Sequence, residues 1–177
     1  MYENQSTDMI AWLKVIFLST LLIVVMREFI VEPVEVHGQS MQPTFEEADL
    51  VMISKLTSIE NFDLIVFKVP NGDNYIKRVI GIPGDRVEVK DDELYLNGQV
   101  VEEPYLQSNR AKAHAMGYRG LMADVAALTV PSGCYFVLGD NRAHSLDSRK
   151  IGFISEKDVI GEVKLRLSPV KEIGVVR

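Results

Sequence analysis

Ser40 lies in GQSMQPTF, residues 38–45, and Lys77 in NYIKRVIGIPGD, residues 74–85. A serine hydroxyl is a poor nucleophile at neutral pH unless a neighbour removes its proton. Two kinds of base are available. An unperturbed lysine, with a pKa of about 10.4, is neutral in only about one molecule in 2,500 at pH 7. Lys77 therefore qualifies only if desolvation among apolar groups lowers its pKa by several units. Strand alternation puts Tyr75 and Lys77 on one face and Ile76 and Arg78 on the other, so one of the adjacent cations points inward if one face is core. Histidine is the other kind. His37 is three residues from Ser40 and on an extended strand would face the opposite way. His144, with Asp147 three residues on, leaves a Ser40–His144–Asp147 triad open. Spacing alone does not choose between the lysine and the triad.

Other chemistries fit less well. Cys134 is the sole cysteine, which excludes an internal disulfide and a multi-thiolate metal site. The three histidines, His37, His144 and His114, match no zinc spacing, so no metal is expected. A formal net charge of −6 argues against nucleic acid held through its phosphates.

The elements that must position these residues begin with residues 9–26, MIAWLKVIFLSTLLIVVM, apolar apart from Lys14, Ser19 and Thr20. About 18 helical residues span roughly 27 Å, near the hydrocarbon thickness of a bilayer. Lys14 sits where its stem can snorkel, and Trp12 suits the interface. REFIVEP follows, with no small-x-small cleavage site, so an uncleaved anchor over 9–28 is expected. Lys14 and Arg27 flank the apolar run, so charge does not set its orientation.

From Val31 onward the pattern is β: residues 64–69, 74–82, 85–89, 93–96 and 134–139 are short, β-branched and aromatic. Asp91 with Asp92, and Asn97 with Gly98, read as two hairpin turns. Residues 107–130 break the pattern as a loop-rich insertion, a small lobe or a short helix. The tail EVKLRL reads as a closing strand. Many close-spaced strands without long alternating helices predict a mainly β, antiparallel barrel or sandwich-like domain.

GQSMQPT, YIKRVIGIPGD and GDNRAHSLDSR, in that order behind an apolar N-terminal segment, resemble the motif boxes of bacterial type I signal peptidase, a membrane-bound serine protease. NGQVVEEPYL resembles that family's hairpin segment between the later boxes, so the likeness covers nearly the whole chain. It implies that Ser40 is the nucleophile, that Lys77 is the general base, and that Ser145 hydrogen-bonds and orients the lysine. Asp147 and Arg149 would form a supporting ion pair. The Ser40 N–H would donate to the oxyanion. Many members supply a second donor from a serine hydroxyl at the position of Gly38, which here offers only backbone. Val34, Val36, Met41, Tyr75 and Ile76 match positions that line the substrate cleft, although core packing explains Val34 and Ile76 equally well.

The implied fold is an antiparallel β catalytic domain with a small variable lobe at 107–130. The implied topology is a cytoplasmic segment 1–8, one span at 9–28, and an extracytoplasmic domain over 29–177. The expected partners are signal-peptide-bearing preproteins cut after small-x-small motifs, and the lipid bilayer. The chain is expected to work as a monomer without a cofactor. Two other readings remain: a catalytically silent relative that assembles surface structures, and a self-cleaving Ser/Lys regulatory protease.

Overall fold

The computed structural model describes residues 3–29 and 31–176; residues 1, 2, 30 and 177 lie outside this description, and with them the first two positions of the expected cytoplasmic segment. Helix α1 runs over Glu3–Phe29 and contains no glycine or proline to break it. Its side chains at 9–25 are all exposed, Trp12, Phe17 and Ile23 among them. Among the described residues, no helix is long and apolar enough to cross a membrane.

Among the described residues twelve strands follow: β1 Val31–Glu35, β2 Leu50–Ser54, β3 Leu64–Lys68, β4 Asn74–Gly81, β5 Arg86–Lys90, β6 Glu93–Leu96, β7 Gln99–Val101, β8 Val125–Thr129, β9 Cys134–Leu138, β10 Ile154–Ser155, β11 Val159–Ser168 and β12 Gly174–Val175. Among the described residues two short α-helices interrupt them, α2 at Gln107–Ala115 and α3 at Ser148–Ile151. All the pairings are antiparallel and form two sheets. The larger has the order β1-β2-β11-β3-β4-β9-β10, with β12 also on β11; the smaller has the order β7-β6-β5-β8.

The turn chemistry sets the small sheet. Asp91 and Asp92 both take positive φ, 51° and 65°, as do Asn97 and Gly98, at 54° and 82°. That pairing of left-handed residues matches the right-handed twist of the flanking strands, so β5–β6 and β6–β7 are tight hairpins. Pro33 is tolerated in β1 because β1 ends the large sheet and its outer edge needs no N–H donor.

One sequence expectation changes here, and one left open is filled in. The tail strand β11 does not close the sheet; it lies between β2 and β3, with shifts in register that let its ten residues pair on both sides. The segment 107–130 resolves into helix α2, a loop and β8, and β8 joins the small sheet beside β5.

Three apolar clusters fill the interior. One gathers Val36, Met41, Phe45, Val51, Ile53 and Ile76 beneath the Ser40 loop. A second packs around Ile65, Phe67, Val79 and Val137, and the third joins Val87, Val89 and Leu94 of the small sheet to Phe136 and Leu138. Phe45 and Phe136 are essentially inaccessible, and burying each such side chain stabilises the fold by roughly 2–3 kcal/mol. The third cluster ties the two sheets together, and the first makes the floor on which the site stands.

Candidate active site

Strand β4 carries the decisive pair. From Ile76 to Gly81 every residue is buried, so β4 is covered on both faces and both adjacent cations are inside. Alternation still separates them. Lys77 points to the Ser40 loop, with Nζ 2.7 Å from Ser40 Oγ, and Arg78 points to Asp140. Lys77 also donates to the Ile76 carbonyl at 2.8 Å, and it sits 5.1 Å from the Tyr75 ring centroid.

Lys77 is only 3% exposed. Burial drives its pKa down to about 8, although the carboxylates of Asp147 and Asp140 pull upward. At pH 7 about one molecule in ten then carries a neutral amine, some two hundred times the unperturbed fraction. The histidine alternative has no such geometry. His144 is exposed, and the Asp147 carboxylate is taken by Arg149 and by the Gly139 N–H, not by His144. His37 faces Glu47 at 3.4 Å.

Beside the pair opens a cleft of about 730 Å³, and Val34, Val36, Met41, Tyr75 and Ile76 all line it. Val36, Met41 and Ile76 belong to the first core cluster as well, with Val34 packed against it, so core packing and cleft lining are the same wall seen from two sides. The cleft runs between two unpaired strand edges. One is the outer edge of β1; the other is residues 74–77 of β4, which pair with β3 but lie before the β4–β9 ladder begins at Arg78.

The family model for "Signal peptidase, peptidase S26" matches residues 9–168. The chain belongs to the signal peptidase family. Signal peptidase I S of Bacillus subtilis is 38% identical over 174 residues, covering 96% of this chain and 95% of the relative. Signal peptidase I of Bacillus caldolyticus is 40% identical over 165 residues, covering 89% and 91%. The crystal structure of a signal peptidase I from Enterococcus faecalis is 41% identical, with a TM-score of 0.54, over 60% of this chain and 97% of that one.

The supporting wall of this signal peptidase site differs in detail from the sequence expectation. Asp147 and Arg149 do pair, through Nη2 at 2.7 Å and Nε at 2.7 Å. Burial alone would raise Asp147; the bonds from Arg149 and Gly139 outweigh it and hold the carboxyl below the usual carboxylate range. No hydrogen bond joins the buried Ser145 Oγ to Lys77, so the expected bond is absent; the amine donates to the adjacent Ile76 carbonyl instead. Gly38, at φ 84°, donates its N–H to Glu47 Oε2 at 2.6 Å. The amide faces a glutamate whose side chain is exposed, not the cleft's reacting pair.

Several residues of the site went unnoticed in the sequence. Arg78 forks onto Asp140 through Nε at 2.9 Å and Nη2 at 2.7 Å, and its guanidinium stacks on Tyr105 at 3.9 Å. Arg142 and Glu103 form a second buried pair. Strand alternation put one of Lys77 and Arg78 inward, but nothing local pointed to Asp140 or said that Arg78 meets it.

Gly139 has a reason of its own. A Cβ there would overlap Ser145 Oγ and the Ser40 carbonyl oxygen, the latter a backbone atom that cannot swing aside. Gly139→Ala should push the Ser40 backbone off Lys77. A displacement near 1 Å costs about 100-fold in rate, so kcat should fall by roughly that factor in steady-state cleavage assays. Unchanged kcat would show that the wall yields instead.

Proposed function

We propose that the chain is a membrane-anchored serine endopeptidase that removes signal peptides from exported preproteins after small-x-small sequences. The observation that carries this reading is the 2.7 Å approach of a desolvated lysine amine to a serine hydroxyl at the edge of an apolar cleft. In the neutral state the Lys77 lone pair accepts the Ser40 proton as Oγ attacks the scissile carbonyl. The Ser40 N–H supports the oxyanion. Lys77 then returns the proton to the departing amine, and the acyl-enzyme is hydrolysed when the same amine deprotonates water.

An extended preprotein fits the cleft by adding a strand between the open edges of β1 and β4, where backbone hydrogen bonds hold it and the alternate side chains face the walls. Val34, Val36 and Ile76 leave shallow apolar room on that side, which suits small residues near the cut. Ser145, Asp147 and Arg149 shape the wall behind the base. A catalytically silent assembly role would not require an amine and a hydroxyl in contact in a desolvated pocket.

The helix α1 supports the anchor. Its described side chains at 9–25 are exposed and, apart from Lys14, Ser19 and Thr20, apolar, which is unfavourable in water and favourable in hydrocarbon. In this reading residues 9–28 span the bilayer with the N-terminus cytoplasmic and the catalytic domain outside. A monomer tethered beside the membrane then meets a substrate held in the same membrane at raised local concentration.

The full chain tests both halves. It should resist alkaline extraction from membranes and, purified in detergent, should cleave a signal-bearing preprotein at a rate that climbs from pH 6 to 9 with a midpoint near 8, the value burial imposes on Lys77. The sign follows from the neutral amine being the active form. A chain that cleaves nothing, or a profile set by a group titrating near 6 and abolished in His144→Ala, would overturn the dyad.

A further inference from the structure

Ser40 is carried not by a strand but by the loop between β1 and β2, so few ladder hydrogen bonds fix its place. What holds it is a seam with the loop that follows β9. The Asn141 N–H donates to the Ser40 carbonyl at 3.0 Å, and Asn141 Nδ2 to the Gln39 carbonyl at 3.0 Å. Thr44 Oγ1 donates to Asp140 Oδ2 at 2.5 Å. A third side chain crosses the seam from outside both loops. Asn109, on α2, donates from Nδ2 to the Gln42 carbonyl at 2.9 Å and to the Asp140 carbonyl at 2.9 Å.

Both partners are carbonyls, so only the amide end of the side chain can face them, and its two N–H groups are both used. Gln42 is two residues after the nucleophile. Asp140 precedes the residue that grips the Ser40 carbonyl. Asn109 is therefore bolted to each lip of the seam at once. It arrives on the segment that leaves the small sheet, whose Tyr105 stacks on Arg78 and whose Glu103 pairs with Arg142.

We propose that Asn109 is a positioning residue for peptide cleavage, fixing the nucleophile loop against the loop after β9 so that Ser40 stays in reach of Lys77. The inference rests on the Ser40–Lys77 reading above. The segment between the second hairpin and β8 is, on this view, part of the machinery that sets the reacting geometry. Loosening the seam lets Ser40 drift and admits water beside the amine. The first effect lowers kcat, and the second raises the pH at which the amine becomes neutral.

The test uses the full chain in detergent and a signal-bearing preprotein, with N109S, N109A and N109D. Serine keeps a single donor, alanine none, and aspartate places acceptor oxygens against two carbonyls. The expected order of kcat is wild type above N109S, then N109A, then N109D, with N109A down roughly 10- to 100-fold and KM within about threefold. The rising limb of the pH profile should move upward by about half a unit in N109A. Thermal unfolding of each variant, with assays run well below every transition, separates this from loss of fold: a kcat deficit that persists there supports the inference.

A kcat within twofold of wild type in N109A and N109D overturns it. So does a deficit that vanishes at low temperature, or one confined to KM, or a pH profile that does not move. Wild-type protein that cleaves nothing would instead remove the Ser40–Lys77 reading beneath it.

Discussion

Replacing Lys77 by methionine should abolish cleavage and at the same time make the protein harder to unfold. The first half follows from the dyad. Lys77 is the base in hydrogen-bond contact with the Ser40 hydroxyl, and loss of a nucleophile or its base in such a unit costs at least about 10,000-fold in kcat. Ser40→Ala should match it. The second half follows from where the amine sits. Lys77 is 3% exposed, and its pKa in the fold is about 8 against an ordinary value of 10.5.

The folded-state pKa lies below the unfolded one, so between about pH 8 and 10.5 the unfolded chain binds more protons than the folded one. Stability therefore rises with pH across that window, and below pH 8 the full cost of a buried ammonium is present. The shift corresponds to roughly 3 kcal/mol. Methionine, of similar length and apolar, removes that cost. Chemical denaturation at pH 7 should show Lys77→Met more stable than wild type by about 2–3 kcal/mol, with the difference shrinking as pH rises toward 10. A methionine variant no more stable than wild type at pH 7, or a difference indifferent to pH, would mean that the ammonium is not buried as described.

Arg78→Met should be among the most destabilising single changes in the chain, by about 3–5 kcal/mol. Asp140 is wholly inaccessible, and Arg78 supplies two of its hydrogen bonds. Removing the arginine leaves a buried carboxylate with Thr44 as its remaining side-chain partner. The same variant loses the bond to the Phe62 carbonyl and the stack on Tyr105. Urea unfolding measures the loss. The double change Arg78→Met with Asp140→Asn should recover a large part of it, since what costs most is one charge left without the other. A single variant within 1 kcal/mol of wild type would show that water reaches Asp140. Activity gives a second readout, because Asp140 also anchors the seam that holds the nucleophile loop.

Much of this was legible from order and type of residue. The strands at 64–69, 74–82, 85–89, 93–96 and 134–139 are found within a residue or two of where β-branched runs and turn residues put them. Local chemistry set them, so local reading finds them. Asp91, Asp92, Asn97 and Gly98 turn where their tolerance of positive φ allows. The short β10 and β12 were invisible, because two residues carry no periodicity and become strands only through the neighbour that pairs with them.

The chain by itself determined which groups could do chemistry: a serine before a bend, a lysine in a strand, and a stretch rich in serine, aspartate and arginine. Tertiary structure decided what each became. It covered β4 on both faces, so the premise of a single core face did not hold and both Lys77 and Arg78 were buried. It turned the Gly38 amide to Glu47 and brought Asn109 across the seam from 67 residues away. Residue type fixes what a group can donate, accept or release; desolvation and distance, which fix whether it does, arise only from segments remote in sequence packing together.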